Sequence, residues 1–182
     1  LASEISEISR SSRLTSCFVA VNRRLAAELI DSGVPRQKVR TIYNGVELPS
    51  NGQKAAEDEP LPGSLPGRHR SGQLVGMVAA FRPRKGAEYL IRAIPKISSV
   101  YPDTRFLFVG SGEFVRHRDY LAELRNLARQ LGVDGSATFL GFCEDPCSFM
   151  RRMDVVVLPS LFGEGLPLAL LEAMALGKPM VA

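Results

Sequence analysis

Apolar positions along the chain follow two alternating patterns: short, nearly continuous runs, and longer stretches with helical spacing. CFVAV (17–21) predicts a strand. RRLAAELIDSG follows as a helix, with Leu25, Leu29 and Ile30 on one face and Gly33 placed to end it. VRTIYNGV is a short strand running into Asn44-Gly45, a dipeptide that by default marks a hairpin turn. Residues 49–73 have no apolar period and hold four prolines and four glycines, the signature of a loop or linker.

The second half is more regular. LVGMVAAF (74–81) predicts a buried strand, AEYLIRAIPKISSV (87–100) a helix and RFLFVG (105–110) another strand. Leu121, Leu124, Leu127, Ala128 and Leu131 then repeat at helical spacing up to Gly132. ATFLGF, DVVVLP and the terminal PMVA supply further strands, with helices around 146–152 and 166–176 between them. Continuously apolar strands suit a parallel sheet covered on both faces, so the alternation predicts a doubly wound α/β domain. The chain stops at Val181-Ala182 as a strand begins, which would leave an apolar sheet edge bare, so truncation is expected.

Composition narrows this picture. With 182 residues, 45% apolar and 23% charged, the chain has the make-up of a globular protein, and its most apolar stretch, LPLALLEAMAL, is interrupted by Glu172. Its opening, LASEISEISR, lacks the basic start and apolar middle of a secretory signal. Cys17, Cys143 and Cys147, with only His69 and His117, make no convincing zinc set and read as reduced structural thiols. The net charge of +4 comes from scattered basic residues, among them Arg82, Arg84, Lys85, Arg116, Arg118, Arg151 and Arg152, without the interleaved aromatics of a single-strand binder. That favours phosphate on a small molecule over nucleic acid.

The most informative stretch is SLFGEGLPLALLEAMALGKPMVA. Gly163 and Gly165 flank Glu164, and Pro167 suits a first helical position, so a helix is expected to begin near Leu166, just beyond a strand ending at Pro159. A helix start beyond the carboxyl ends of parallel strands offers free N–H groups and partial positive charge to a phosphate. Glu172 lies about one and a half turns into that helix, roughly 10 Å along the axis from Glu164. One carboxylate could serve a sugar and the other a ribose, with a diphosphate between them.

Glu164 and Glu172, separated by seven residues, resemble the paired-glutamate motif of retaining GT-B glycosyltransferases of the group 1 (family 4) type. The resemblance runs from FVAVNRRLAAELIDSGVPRQKVRTIYNGVEL through Lys85-Gly86, FLFVGSGE and FLGF to PSLFGEGLP and LLEAMALGKP. It implies that residues 1–48 are the last elements of an N-terminal acceptor domain, that 49–73 link the domains, and that 74–182 are an incomplete nucleotide-sugar-binding domain. By resemblance Glu164 is the catalytic residue, contacting the donor sugar, and Glu172 takes the ribose. Lys85 would pair with the diphosphate, beside the backbone of Gly165 and Leu166. The family usually carries an arginine five residues before that lysine, where this chain has Ala80; Arg82 stands nearby as a candidate replacement. The family also places Asn44-Gly45 near the interdomain crossover, as a hinge, and packs the nucleotide base on the loop that here holds Cys143 and Asp145.

The implied reaction moves a sugar from a UDP-sugar or GDP-sugar to a sugar or lipid-linked acceptor with retained configuration, without metal or other cofactor. The implied setting is the cytoplasm, with room for peripheral association at the inner face of the membrane through the missing half, and a role in cell-envelope or exopolysaccharide assembly. The truncated chain alone is expected to bind donor weakly and not to turn over. Two other readings stand beside this one: a non-catalytic nucleotide-binding module, and an NAD-dependent oxidoreductase of the same fold class. Against the oxidoreductase, no G-x-G-x-x-G opens a helix directly after a strand, since Gly110-Ser111-Gly112 lacks a third glycine at the required spacing.

Overall fold

The computed structural model describes residues 14–47, 72–112 and 120–182. Most of the expected linker (49–73), His69, Arg116, His117 and Arg118 lie outside the described residues. The chain divides into two compact units: one runs to Val46 and includes Gly163–Leu168, and the other comprises Glu47–Phe162 with Ala169–Ala182.

In the first unit, strand β1 (Phe18–Ala20), helix α1 (Arg23–Asp31) and strand β2 (Val39–Thr41) form a βαβ turn, with the two strands parallel. Asn22 starts the helix: its backbone is extended, and its Oδ1 accepts from the Leu25 N–H at 2.7 Å. Ala20, Ala26, Leu29, Val34 and Val39 make a small core. The Asn44-Gly45 hairpin turn is not formed. β2 pairs in parallel with β1, so the chain has no reversal to make there, and residues 42–47 carry no strand.

The second unit holds strands β3 (Leu74–Val78), β4 (Arg105–Val109), β5 (Ala137–Gly141), β6 (Val155–Val157) and β7 (Met180–Val181). Helices α2 (Ala87–Val100), α3 (Tyr120–Gln130), α4 (Pro146–Met150) and α5 (Leu168–Ala175) alternate with them, Leu168 being the junction residue counted with the first unit. The sheet is parallel, in the order β5-β4-β3-β6-β7. Alternation along β4 shows why both faces are covered. Phe106 and Phe108 join a core with Leu90, Ile91 and Ile94 of α2 and Leu124 and Ala128 of α3. Leu107 and Val109 join the opposite core with Met150, Met153 and Ala173. Gly76 has no side chain because Met153 fills the space above it: a Cβ there would lie 2.1 Å from the Met153 sulfur.

The strands stop earlier than their apolar runs. β3 ends at Val78 rather than Phe81, and β6 at Val157 rather than Pro159. The remaining apolar residues anchor the loops beyond, with Phe81 and Leu158 both buried.

Candidate functional site

Each compact unit carries part of the residue set expected to bind a donor. In the five-stranded unit, chain order reverses between β3 and β6: successive crossovers build outward through β4 and β5, then return to the other side of β3. Such a reversal opens a crevice beyond the carboxyl ends of the two central strands, where ligands of open α/β sheets bind.

The loop after β3 is fixed from several sides. Ala79 N donates to Val109 O at 3.1 Å and Phe81 N to Ser111 O at 3.3 Å, so β3 stays registered with β4 past the end of regular pairing. Arg82 follows in extended conformation, with its side chain exposed, and leads into a single 3-10 turn, Pro83–Lys85. Gly86 closes that turn at φ 72°, and a Cβ on it would lie 1.9 Å from the Pro159 carbonyl oxygen. Leu161 N donates to Arg84 O at 2.9 Å, binding the loops after β3 and β6 to each other. The half-buried Lys85 is therefore held on rigid backbone beside the reversal point.

Glu172 lies in α5, next to Ala173, which the core buries completely. It is half-buried itself. Burial pushes its carboxyl above the ordinary carboxylate range, and the Asp145 carboxylate raises it further. Asp145 is also the cap of α4, its Oδ1 accepting from Ser148 N at 3.2 Å. The Cys147 thiol is pushed up by burial first, then by Glu172 and Asp145, with Arg151 opposing. Glu172, Asp145 and Cys147 are thus electrostatic neighbours. Cys143 is partly buried against the core that holds Leu107 and Val109. Sequence reasoning read Cys147 only as a reduced structural thiol; its place just after Pro146, at the start of a capped helix, was the available signal that it lies near this cluster.

The rest of the predicted set lies in the other unit. Glu164, Gly165 and Leu166 belong to the Gly163–Leu168 segment, and α5 begins at Leu168 rather than near Leu166. Residues 164–167 are not helical, so an axial rise per residue gives no distance between Glu164 and Glu172. Asn22 Nδ2 donates to Gly165 O at 2.7 Å, and Asn44 Nδ2 donates to Leu166 O at 2.7 Å. A Cβ on Gly165 would lie 2.7 Å from a Val21 methyl. Sequence reasoning missed Asn22, although an asparagine directly before RRLAAEL is a helix-cap signal.

Among the described residues, no group of three or more His, Cys, Asp or Glu could hold a metal ion, and no helix is long and apolar enough to cross a membrane. Gly110-Ser111-Gly112 follows β4, whereas a dinucleotide fingerprint belongs after the first strand of the fold, here β3.

A parallel sheet wound on both faces, with its lysine-bearing loop at the order reversal, defines an α/β domain of the Rossmann-like class. Residues 72–182 match the family model described as glycosyl transferases group 1. An uncharacterized glycosyltransferase of Methanocaldococcus jannaschii is 33% identical over 171 residues, which are 91% of this chain and 42% of that protein. The phosphatidyl-myo-inositol mannosyltransferase of Mycolicibacterium smegmatis is 37% identical over 142 residues, 76% of this chain and 34% of the relative. Among solved structures, Anabaena HepE in complex with UDP and glucose superposes with a TM-score of 0.81 at 25% identity, over 100% of this chain and 48% of that one. The chain belongs to the group 1 glycosyltransferases, its fold is of GT-B type, and it spans about two-fifths of the length of the curated relatives it matches.

Proposed function

We propose that the protein transfers a sugar from a nucleoside-diphosphate sugar to an acceptor with retention of anomeric configuration, and that this chain supplies the donor-binding part. The observation that carries the reading is the half-buried Glu172 carboxyl beside Asp145, in the same unit whose order reversal holds Lys85. A carboxyl lifted by burial and a like charge is destabilising for the fold, and such groups concentrate where a ligand uses them. Glu172 accepts hydrogen bonds from the paired hydroxyls of the ribose. Lys85, with Arg82 in the place of the family's usual arginine, meets the charge that grows on the diphosphate as it departs. Glu164 contacts the donor sugar and is the catalytic residue, while the backbone at Gly165 and Leu166 lies along the diphosphate.

Family membership supports this reading, as do the UDP and glucose bound to the Anabaena neighbour and the mannosyltransferase relative. The acceptor is a sugar or a lipid-linked sugar, and the setting the cytoplasm, at the inner face of the membrane where the acceptor is lipid-linked. NMR of the product formed from an α-linked UDP-sugar or GDP-sugar tests the proposal. An α-anomeric product is expected; a β product would contradict retention, and tight NAD binding in place of nucleotide-sugar binding would overturn the reading altogether.

A further inference from the structure

We propose that Asn22 and Asn44 are positioning residues of the donor site, holding the Gly165 and Leu166 carbonyls so that the Leu166 N–H is presented to the donor diphosphate. The inference rests on the reading above, in which this backbone lies along the diphosphate.

The two side-chain amides grip consecutive carbonyls, each at 2.7 Å, from positions 143 and 122 residues away in sequence. All of these residues belong to one compact unit. In a trans peptide, C=O and N–H point in opposite directions. Pinning the Gly165 carbonyl to Asn22 therefore turns the Leu166 N–H away from α1. Pinning the Leu166 carbonyl to Asn44 fixes the next peptide, whose nitrogen belongs to Pro167 and carries no hydrogen. The clamp thus sets the direction of one N–H in a segment that two glycines would otherwise leave conformationally loose. A Cβ on Gly165 would lie 2.7 Å from a Val21 methyl, so a side chain there would force a local shift beside the clamp.

Asparagine is the residue this double duty requires at position 22. Its Oδ1 caps α1 through Leu25 N while its Nδ2 holds Gly165. Serine keeps an oxygen for the cap but has no amide to reach the loop. Preordering the loop before the ligand arrives lowers the entropic cost of binding, which falls on affinity for the diphosphate rather than for the base or ribose.

Calorimetric titration of the full chain with UDP, GDP and their parent nucleosides, beside Asn22→Ser and Asn44→Ala, tests this. Asn22→Ser is expected to melt with the wild type yet bind the nucleoside diphosphate about fivefold more weakly, the effect of one lost hydrogen bond, with nucleoside affinity unchanged. Asn44→Ala is expected to show the same selectivity, and the double variant a larger loss. Unchanged diphosphate affinity in both single variants, or equal weakening of nucleoside and diphosphate, would overturn the positioning role. If the wild type binds neither nucleotide while Asn22 and Asn44 variants fold normally, the donor-site reading itself fails and this inference falls with it.

Discussion

The loop after β3 and the segment before α5 are assigned the same task, holding groups against a diphosphate, yet they are immobilised differently. Lys85 stands on backbone locked to backbone: Gly86 lies directly against the Pro159 carbonyl, and Arg84 O is bonded to Leu161 N. Gly165 and Leu166 are held by side chains, the amides of Asn22 and Asn44. A backbone lock forms wherever the sheet forms. A side-chain lock can be removed one bond at a time, and so is separable from folding.

Substituting the two glycines should expose that difference most strongly. Gly86→Ala meets both a left-handed backbone and an immovable carbonyl, so a loss of about 3 kcal/mol in denaturant-induced unfolding is expected. Gly165→Ala meets only a Val21 methyl and no positive φ, so roughly 1 kcal/mol is expected, with a weakened diphosphate affinity alongside. Equal costs at the two positions would erase the distinction between the loops.

Charge gives the next largest effect. Lys85→Ala should weaken nucleoside-diphosphate binding by about 2 kcal/mol, roughly thirtyfold, in equilibrium titration, while the melting temperature stays near that of the wild type. Asn22→Ala should cost about 1 kcal/mol of stability through the lost α1 cap, whereas Asn22→Ser should not, in thermal melts of the two variants.

Glu172 supplies the smallest stability effect and the most specific sign. Its folded carboxyl is raised, by burial and then by Asp145, so its contribution is fully favourable below the ordinary carboxylate range. That contribution is lost as pH rises through the raised value. Glu172→Gln should therefore melt above the wild type at neutral pH, the gap closing as pH falls below the usual carboxylate range. A gap that widened on acidification would mean that Glu172 is stabilised by a partner when ionised.

Local pattern made much of the fold legible. Phe106 to Val109 alternate between the two cores, as a strand buried on both faces must, and the βα alternation led directly to the doubly wound sheet. Where the strands stop was less visible, because Ala79–Phe81 and Leu158 are as apolar as the strands they follow, and Phe81 and Leu158 are buried in loops instead. The start of α5 at Leu168 falls two residues past Leu166, within the one or two residues by which helix ends are set by local hydrogen bonding rather than by composition. The grip of Asn22 and Asn44 on residues more than a hundred positions away, and the nearness of Asp145 to Glu172, exist only once the chain has folded. No spacing rule reaches them. Family membership, by contrast, was legible in the Glu164 and Glu172 motif and is borne out by the match over residues 72–182.

The most direct measurement is calorimetric titration of UDP and GDP into the protein beside its Glu172→Ala variant. Saturable binding of one nucleotide by the wild type, abolished in the variant while both remain folded, is the predicted result. Binding that survives the substitution unchanged, or a folded wild type that binds neither nucleotide, would contradict a donor site built around Glu172.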